Sequence, residues 1–227
     1  EVEDAWAAGR LPILTGGTGL YLRTLLHGIV PVPDIDEAVR ADVRGRMDAE
    51  GPEALHAELA RLDPVTAARL GPRDRQRIAR ALEVALSTGT PLSQFQQETT
   101  GGLADRPDVG PILRCVILPE RSILYTRCDQ RLVQMAEQGA VEEVRKLLAR
   151  GLAPELPVMK AVGVPEFAAF LEKRLEYQEA IAAAQQATRR YAKRQYTWFR
   201  NQCRDWNFVR SHDLKTQIEQ IAIIFQE

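Results

Sequence analysis

The stretch LTGGTGLYLR, residues 14–23, limits the possible folds of this chain more than any other segment. An apolar run over residues 11–14 leads into it, and an amphipathic pattern follows as far as His27. An apolar run, a glycine-rich turn and a helix start, in that order, are typical of an α/β unit. We therefore predict a strand over residues 11–14 and a helix over Gly19–His27.

The turn Gly16-Gly17-Thr18 between these two elements allows two interpretations. Glycine lets a ligand approach the backbone, and free N–H groups at a helix N-terminus attract anions, so the turn can bind a phosphate. Alternatively, the glycines only reverse the chain and the Thr18 hydroxyl caps the helix. The turn lacks the G-K-[ST] ending of a Walker A loop, so it is not a main nucleotide site by itself.

The pattern of the remaining residues predicts a helical segment followed by a second α/β segment. Capping residues predict helices after Asp36, Asp63 and Asp74, and Gly89 ends the last of them. A β-branched run over residues 112–118 predicts a buried strand, and long helices follow over about residues 122–138, 141–150 and 176–203. We predict an α/β core over residues 1–33 and 109–227, interrupted by an all-helical insertion over residues 34–108.

Charge and cysteine content exclude several classes of protein. The net charge of −1 creates no global attraction for nucleic acid or membranes, so such a partner needs a local patch. The three cysteines lie far apart without a C-x-x-C pair, which indicates a reducing compartment and argues against a disulfide framework or a zinc site. No apolar run is long enough to cross a membrane. We therefore expect a cytoplasmic protein without a membrane partner and without a metal site of its own.

The segment of residues 180–204 is the strongest candidate for such a local patch. It contains no acidic residue and interleaves aromatic residues with six cations, namely Arg189, Arg190, Lys193, Arg194, Arg200 and Arg204. At helical spacing, most of the cations recur on one face, whereas Tyr191, Gln195, Trp198 and Phe199 fall towards the other. Either the basic face contacts a polyphosphate or nucleic-acid backbone, or it is only a solvated face above an aromatic contact with the core.

Two further arginine clusters allow the same pair of interpretations. One cluster, near a helix start where the helix dipole disfavours cations, consists of Arg73, Arg75, Arg77 and Arg80. An anionic partner is one explanation, and a surface helix with Asp74 and Glu83 as counter-charges is another. Arg127 and Arg131 are four residues apart on one helical face, with Asp129 on another. Two arginines at this spacing can clamp a diphosphate or form ordinary surface ion pairs.

These motifs together resemble a known family. In chain order, TGGTGLYLRTLLHG, DRQRIARALEV followed by STGTPLS, RCDQRLVQM with GAVEEVRKL, and KRQYTWFRNQ are similar to tRNA dimethylallyltransferases from Leu11 to about Trp206. The resemblance implies a P-loop-NTPase-like α/β core with a helical insertion that binds tRNA. Family members open with a P-loop and a strand that carries a catalytic aspartate. Both would precede Glu1, so we expect a lost upstream segment and an inactive chain.

The resemblance also implies an activity. The family transfers a dimethylallyl group from dimethylallyl diphosphate to N6 of the adenine immediately 3′ of the anticodon, in tRNAs that read codons beginning with U. The product is N6-(dimethylallyl)adenosine. The P-loop grips the diphosphate together with Mg²⁺ instead of hydrolysing ATP. The implied partners are the tRNA anticodon stem-loop and dimethylallyl diphosphate, and we expect a monomer.

Carried over by position, the family motifs assign roles to individual residues. Thr18 would be catalytic and touch both the substrate adenosine and the bridging oxygen of the diphosphate. Gly16 and Gly17 would lie at the diphosphate, with Arg127 or Arg131 as a second contact. The residues that would bind tRNA are Thr18, Arg40, Gln76, Arg77, Ile78, Ala79, Arg80, Lys160, Ala161, Val162, Gly163, Lys193, Arg194, Gln195, Tyr196, Thr197, Trp198, Phe199 and Arg200.

One segment departs from the family pattern, and two other functions compete with the transferase. Many relatives have a G-Y-[KR] sequence where this chain has Gly163-Val164-Pro165, so the aromatic residue and the second cation are absent. The first competing function is a small-nucleoside P-loop kinase, which would not need a long, acid-free basic helix. The second is an RNA-binding module without catalytic activity, which an assay for dimethylallyl transfer distinguishes from the enzyme.

Overall fold

The structure is a computed structural model that describes residues 1–97 and 101–226. The chain divides into two compact units. We call Glu1–Gly19 with Leu113–Glu227 the core unit, and Leu20–Ile112 the helical unit. In the described residues, no helix is both long and apolar enough to cross a membrane.

Helices dominate both units. In chain order they are α1 Val2–Ala7, α2 Gly19–His27, α3 Glu37–Ala49, α4 Pro52–Leu62, α5 Pro64–Arg69, α6 Arg75–Thr88, α7 Leu92–Phe95, α8 Arg121–Met135, α9 Val141–Leu148, α10 Val164–Leu171, α11 Tyr177–Gln202 and α12 Leu214–Ile224. The strands are β1 Cys115–Ile117 and β2 Asn207–Val209.

Side-chain caps start the helices of the helical unit where the sequence predicts them. Asp36 accepts a hydrogen bond from the Ala38 backbone N–H at 2.7 Å and begins α3. Asp63 and Asp74 cap α5 and α6 in the same way. Gly89 ends α6 in the left-handed conformation, with φ of 69°, which glycine adopts without steric cost.

The apolar faces of these helices meet in one cluster, which forms the centre of the helical unit. Its buried members are Val43, Met47, Leu55, Leu59, Ala67, Ile78, Ala81 and Leu82. Apart from Ala67 on α5, they recur at helical spacing on α3, α4 and α6, so each of these three helices buries one stripe and leaves the opposite face to solvent.

The core unit contains a small parallel sheet and four packed helices. β1 pairs with β2 in parallel, with Val116 opposite Phe208. The helices α8, α9, α10 and α11 enclose a second apolar cluster, which includes Phe167 and Ile181. The chain bends between α8 and α9 at Gly139, whose φ of 109° lies in the region that favours glycine.

Both strand expectations change in the structure, and a further strand was not predicted. Residues 11–14 form no strand in the described part of the chain, and Leu11 and Ile13 are 70% and 75% exposed. The strand predicted over residues 112–118 is limited to Cys115–Ile117, and its partner β2 was not predicted. A strand exists only where a neighbouring strand completes its hydrogen bonds, and an apolar run of four residues does not specify that neighbour.

Candidate nucleic-acid interface

The glycine turn before α2 lies directly against α11 in the core unit. The Gln195 side-chain amide donates a hydrogen bond to the Gly17 carbonyl oxygen at 2.9 Å. The Trp198 ring approaches Gly19 so closely that a Cβ on Gly19 would lie 2.3 Å from its Cε3 atom. The turn therefore needs a residue without a side chain at position 19, and residues about 180 positions apart in the sequence become neighbours.

Thr18 lies in this turn with its side chain exposed. In residues 1–97 and 101–226, its hydroxyl has no hydrogen-bond partner, so the structure gives no support to the helix-capping interpretation. Gly16 has open space around the position of a Cβ, in contrast to Gly17 and Gly19. The exposed face of the turn is thus available to a ligand, whereas its other face packs on α11.

The basic face of α11 forms a shallow groove of about 570 Å³. Its lining residues are Arg190, Lys193, Arg194, Thr197, Trp198, Asn201 and Gln202. The groove combines cations with an aromatic ring and with amide and hydroxyl groups. Proteins use these groups to bind phosphates and to stack or hydrogen-bond exposed bases of single-stranded RNA.

Most cations on α11 lack an acidic partner inside the protein. Arg189 is the exception, since its Nη1 atom lies 2.6 Å and 2.7 Å from the two carboxylate oxygens of Asp129 on α8. In the described part of the chain, no ion pair involves any of the other five cations of this segment, and all five are exposed. Five cations without an internal counter-charge create a local positive potential that an external anion can neutralise.

The aromatic residues of α11 are distributed differently from the sequence expectation. Phe199 is buried and Gln195 faces the glycine turn, as the helical spacing indicates. Trp198 lines the basic groove because it follows Arg194 by four residues, which places both side chains on one side of the helix. Tyr191 is 41% exposed and lies 5.5 Å from the Arg194 guanidinium carbon, so it also belongs to the basic side.

The remaining predicted contacts on α11 differ in accessibility. Tyr196 is half-buried, and its ring stacks under the Arg121 guanidinium at 4.7 Å. Arg200 is exposed but lies outside the groove. Phe199 is only 9% exposed, so its side chain is largely inaccessible to a ligand, and the contact of this residue with tRNA stays a prediction.

The helical unit carries a second basic cleft, of about 480 Å³, between α3 and α6. Its lining residues are Arg40, Arg44, Arg75, Gln76, Ala79, Arg80 and Glu83. Four of these, Arg40, Gln76, Ala79 and Arg80, are among the predicted tRNA contacts. The sequence indicated Glu83 only as a counter-charge of the α6 arginines, which its ion pair with Arg80 confirms, and it did not single out Arg44. The spacing of four residues from Arg40 to Arg44 was the signal that could have identified Arg44.

The arginines of α6 have acidic partners, whereas in α11 only Arg189 has one among the described residues. Arg75 pairs with Asp48 at 2.5 Å, Arg77 with Asp74 at 3.5 Å, and Arg80 with Glu83 at 3.8 Å. Ile78 is fully buried in the core of the helical unit, so its side chain is inaccessible, and the contact of this residue with tRNA stays a prediction. The sequence motif includes Ile78 because it lies between contact residues, but helical geometry turns its side chain inward.

The segment from Lys160 to Gly163 precedes α10. Lys160, Ala161 and Val162 are exposed, which leaves their side chains accessible. Gly163 has φ of 97°, and its N–H donates a hydrogen bond to the Glu166 side chain at 3.0 Å. This N–H is therefore used to start α10 and is not free to contact a ligand.

Arg127 and Arg131 of α8 lie in different environments. Arg127 donates a hydrogen bond through Nη2 to the His212 carbonyl oxygen at 2.7 Å, whereas Arg131 is exposed. Among the described residues, no hydrogen bond or ion pair connects either arginine with the turn at Gly16–Thr18. The predicted diphosphate clamp by these arginines stays a prediction.

The described residues contain no reactive thiol and no set of metal ligands. Cys115, Cys128 and Cys203 are free, and burial raises the pKa of each thiol above its ordinary value. They are therefore protonated at neutral pH and poor nucleophiles. No group of three or more His, Cys, Asp or Glu residues in the described ranges could hold a metal ion, so we assign no protein ligands to Mg²⁺.

Comparisons with known proteins identify close relatives. A tRNA dimethylallyltransferase from Sphingopyxis alaskensis is 58% identical over 201 residues, which cover 88% of this chain and 63% of that protein. The enzyme of the same name from Novosphingobium aromaticivorans is 55% identical over 202 residues, which cover 89% of this chain and 69% of that protein. The chain thus spans roughly two thirds of the length of these curated relatives.

Solved structures with the same fold support this relationship. A eukaryotic dimethylallyltransferase acting on tRNA matches with a TM-score of 0.74 at 26% identity, over 98% of this chain and 57% of the other. The tRNA isopentenylpyrophosphate transferase from Bacillus halodurans matches with a TM-score of 0.59 at 31% identity, over 99% and 69% respectively. These matches confirm the predicted α/β, P-loop-NTPase-like fold class.

The family itself is established by two independent findings. The family model described as IPP transferase matches residues 1–202, which is most of the chain. The Novosphingobium relative is more than half identical over a match that covers 89% of this chain and more than two thirds of its own length. The chain belongs to the IPP transferase family.

Proposed function

We propose that this protein is a tRNA dimethylallyltransferase that modifies the adenine immediately 3′ of the anticodon. The observation that carries the proposal is the identity of 50–58% with three relatives that bear this name. The groove of α11 supports it, since its three cations, Arg190, Lys193 and Arg194, have no ion-pair partner among the described residues and suit an RNA backbone. Among the competing functions, a nucleoside kinase would have no use for this groove.

The chemistry replaces a carbon–oxygen bond by a carbon–nitrogen bond and transfers one proton. The N6 nitrogen of adenine bonds to the allylic carbon of dimethylallyl diphosphate, the carbon–oxygen bond to the diphosphate breaks, and the N6 nitrogen loses a proton to a base. An aromatic amine is a weak nucleophile, so catalysis depends on positioning both reactants, excluding water and stabilising the departing anion. The adenine also has to leave the stacked anticodon loop to reach the diphosphate.

We propose that Thr18 contacts the diphosphate and the adenosine at the exposed face of the glycine turn. Its hydroxyl has no hydrogen-bond partner among residues 1–97 and 101–226, and it is therefore free to donate to the leaving oxygen. Gly16 and Gly17 allow the diphosphate to approach the backbone. Mg²⁺ would neutralise part of the diphosphate charge, and Arg127 or Arg131 would supply a second contact.

We propose that both basic surfaces bind the anticodon stem-loop. The groove of α11 would contact the loop near the reacting adenine, because the glycine turn packs against the same helix. The cleft of the helical unit would bind backbone phosphates through Arg40, Arg44 and Arg80. We further propose that the protein acts as a monomer in the cytoplasm, where its tRNA substrate occurs.

The decisive experiment measures transfer from labelled dimethylallyl diphosphate to an anticodon stem-loop with adenine 3′ of the anticodon. Because the curated relatives are longer, the assay should use both the 227-residue chain and a form extended to their length. Label on N6 in either form supports the proposal. If both forms bind RNA tightly and neither transfers the label, the proposal is wrong and the protein is an RNA-binding module without catalytic activity.

Replacing Lys193 with alanine should weaken RNA binding and reduce its salt dependence. Lys193 lies in the groove of α11 and has no acidic partner among the described residues. Log affinity falls as log salt concentration rises, and loss of one phosphate contact makes this slope shallower by about 1. Titrations of the stem-loop at several salt concentrations measure this slope.

Lys215→Ala is the matched control for this experiment. Lys215 is also an exposed lysine of the core unit, but it lies on α12 outside the groove. Its removal changes the net charge by the same amount, so a general electrostatic effect would affect both variants equally. Equal salt slopes for the two variants would contradict the assignment of phosphate contact to Lys193.

Replacing Thr18 with alanine should slow transfer more than it weakens RNA binding. A hydroxyl that donates to the departing oxygen stabilises the transition state, and losing one such donor slows catalysis roughly 100-fold or more. Single-turnover rates at saturating RNA measure the effect in the form of the protein that transfers. Thr15→Ala, in the same turn, is the control. An unchanged rate in Thr18→Ala would exclude Thr18 from the mechanism.

A further inference from the structure

The cleft of the helical unit contains one carboxylate among its cations. Glu83 lines the cleft beside Arg40, Arg44, Arg75 and Arg80, and its side chain is only 8% exposed. A buried carboxylate is costly unless cations or hydrogen-bond donors compensate it. If the cleft binds an anionic ligand, a negative charge at this position also repels that ligand. Its presence therefore needs a physical reason.

Two arginines from different helices compensate this charge. The Arg44 Nε atom on α3 lies 3.6 Å from one Glu83 oxygen, and the Arg80 Nη1 atom on α6 lies 3.8 Å from the other. No hydrogen bond to the Glu83 carboxylate occurs among the residues that the structure describes. The two guanidinium groups are therefore the compensation that the carboxylate receives inside the protein.

The two arginines keep most of their donors free. Their side chains are 68% and 47% exposed, in contrast to the buried Glu83 between them. A guanidinium group carries five N–H donors, so a contact through one atom leaves the others available to a ligand in the cleft. A long arginine side chain otherwise loses conformational entropy when a ligand immobilises it, and a fixed counter-charge reduces that cost.

We propose that Glu83 is a positioning residue that holds Arg44 and Arg80 in place for two phosphates of the bound RNA. The inference rests on the proposed RNA-binding function of the cleft and adds a role that the charge of the residue alone would not predict. Glu83 does not contact the RNA in this arrangement. It acts through the two arginines, from a buried position where the phosphates cannot approach it closely.

The sign of the effect separates this role from simple electrostatics. Removing a negative charge from a surface that binds phosphates strengthens binding if charge alone matters. Removing the group that orients two cationic side chains weakens it. Glu83→Gln preserves the shape of the side chain and deletes only its charge, so the direction of the change in affinity decides between the two explanations.

The test measures the affinity of the 227-residue chain for an anticodon stem-loop RNA, with Glu37→Gln as matched control. Glu37 pairs with another cleft arginine, Arg40, at 3.3 Å, but it is 87% exposed. We expect Glu83→Gln to weaken binding about tenfold, in the range of coupling within one ion-pair network. Glu37→Gln should leave the affinity unchanged or increase it.

An Arg80→Ala variant and its combination with Glu83→Gln complete the design. If Glu83 acts through Arg80, the Glu83→Gln change costs less affinity in the Arg80→Ala background than in the original chain. Circular dichroism and urea unfolding of each variant verify that the compared proteins are folded. A purely structural role for Glu83 would lower the urea midpoint and leave the affinity of the folded protein unchanged.

The possible failures are distinguishable. If Arg80→Ala binds RNA as tightly as the original chain, the cleft is not part of the interface, and both the cleft assignment and the role of Glu83 are wrong. If Arg80→Ala weakens binding while Glu83→Gln leaves it unchanged or strengthens it, the cleft assignment holds and the positioning role is overturned.

Discussion

Replacing Gly19 with alanine is expected to disrupt the groove of α11 and to reduce RNA affinity about tenfold or more. The added Cβ would lie 2.3, 2.4 and 2.5 Å from the Trp198 atoms Cε3, Cδ2 and Cε2. Two carbon atoms without a bond between them do not approach this closely. The rigid indole ring also cannot relieve the overlap by a small movement, as the end of a long flexible side chain can. Either Trp198 rotates out of the groove or the turn separates from α11.

The same substitution should lower the free energy of unfolding by about 1–3 kcal/mol, as overpacking of a close contact does. Backbone preference is not the cause, because Gly19 begins α2 without a positive φ, and alanine favours helices. Urea unfolding and titration with the stem-loop RNA measure the two effects separately.

Two neighbouring glycines provide graded controls. A Cβ on Gly16 would meet nothing within 4 Å, so Gly16→Ala should change neither stability nor affinity. A Cβ on Gly17 would lie 2.4 Å from the Gln195 Nε2 atom, the movable end of a flexible side chain, so Gly17→Ala should have an intermediate effect. Equal behaviour of all three variants would contradict the packing of Trp198 on Gly19.

Replacing Asp63 with alanine is expected to cause the largest loss of stability, about 2–4 kcal/mol, because it removes a helix cap and several hydrogen bonds to one buried charge. Asp63 is fully buried in the helical unit. Its carboxylate accepts from the Thr66 N–H and hydroxyl at 2.9 and 2.7 Å, and from the Ser93 N–H at 2.9 Å. The residue thus begins α5 and attaches α7 to it.

Asp36→Ala is the control for the contribution of capping alone. Asp36 begins α3 through a 2.7 Å hydrogen bond from the Ala38 N–H, but its side chain is exposed. Its loss should cost about 1 kcal/mol. Urea unfolding of both variants at neutral pH measures the difference. A similar loss in the two variants would show that the buried network around Asp63 adds no stability beyond a surface cap.

The contribution of Asp63 should also depend on pH in a defined direction. Burial raises the pKa of its carboxyl group, but the hydrogen bonds from Thr66 and Ser93 outweigh burial, and the net pKa is lowered. A lowered pKa means that the stabilisation is complete above the unfolded value of about 3.9 and is lost as the pH falls through the folded value.

Comparison with Asp63→Asn isolates this contribution. The difference in unfolding free energy between the original chain and the variant should be constant above about pH 5 and should shrink below about pH 4. A difference that persists unchanged to pH 2 would contradict the lowered pKa. Urea unfolding at a series of pH values measures it.

The sequence by itself determined the features that depend on neighbouring residues. The caps at Asp36, Asp63 and Asp74 and the glycine stop at Gly89 follow from backbone hydrogen bonds within one helix turn. The helices they delimit therefore appear where predicted. The ordered motifs likewise identified the family, since long motifs at fixed spacing are specific without knowledge of any contact.

Only the tertiary structure decided which distant residues meet. The hydrogen bond from Gln195 to Gly17, the packing of Trp198 on Gly19 and the pairing of β1 with β2 join segments that no local pattern relates. The burial of Glu83 between two arginines and the inward turn of Ile78 depend on how α3 packs on α6. Helical periodicity gives the direction of a side chain, but solvent exposure and counter-charge depend on the neighbouring element, which packing supplies.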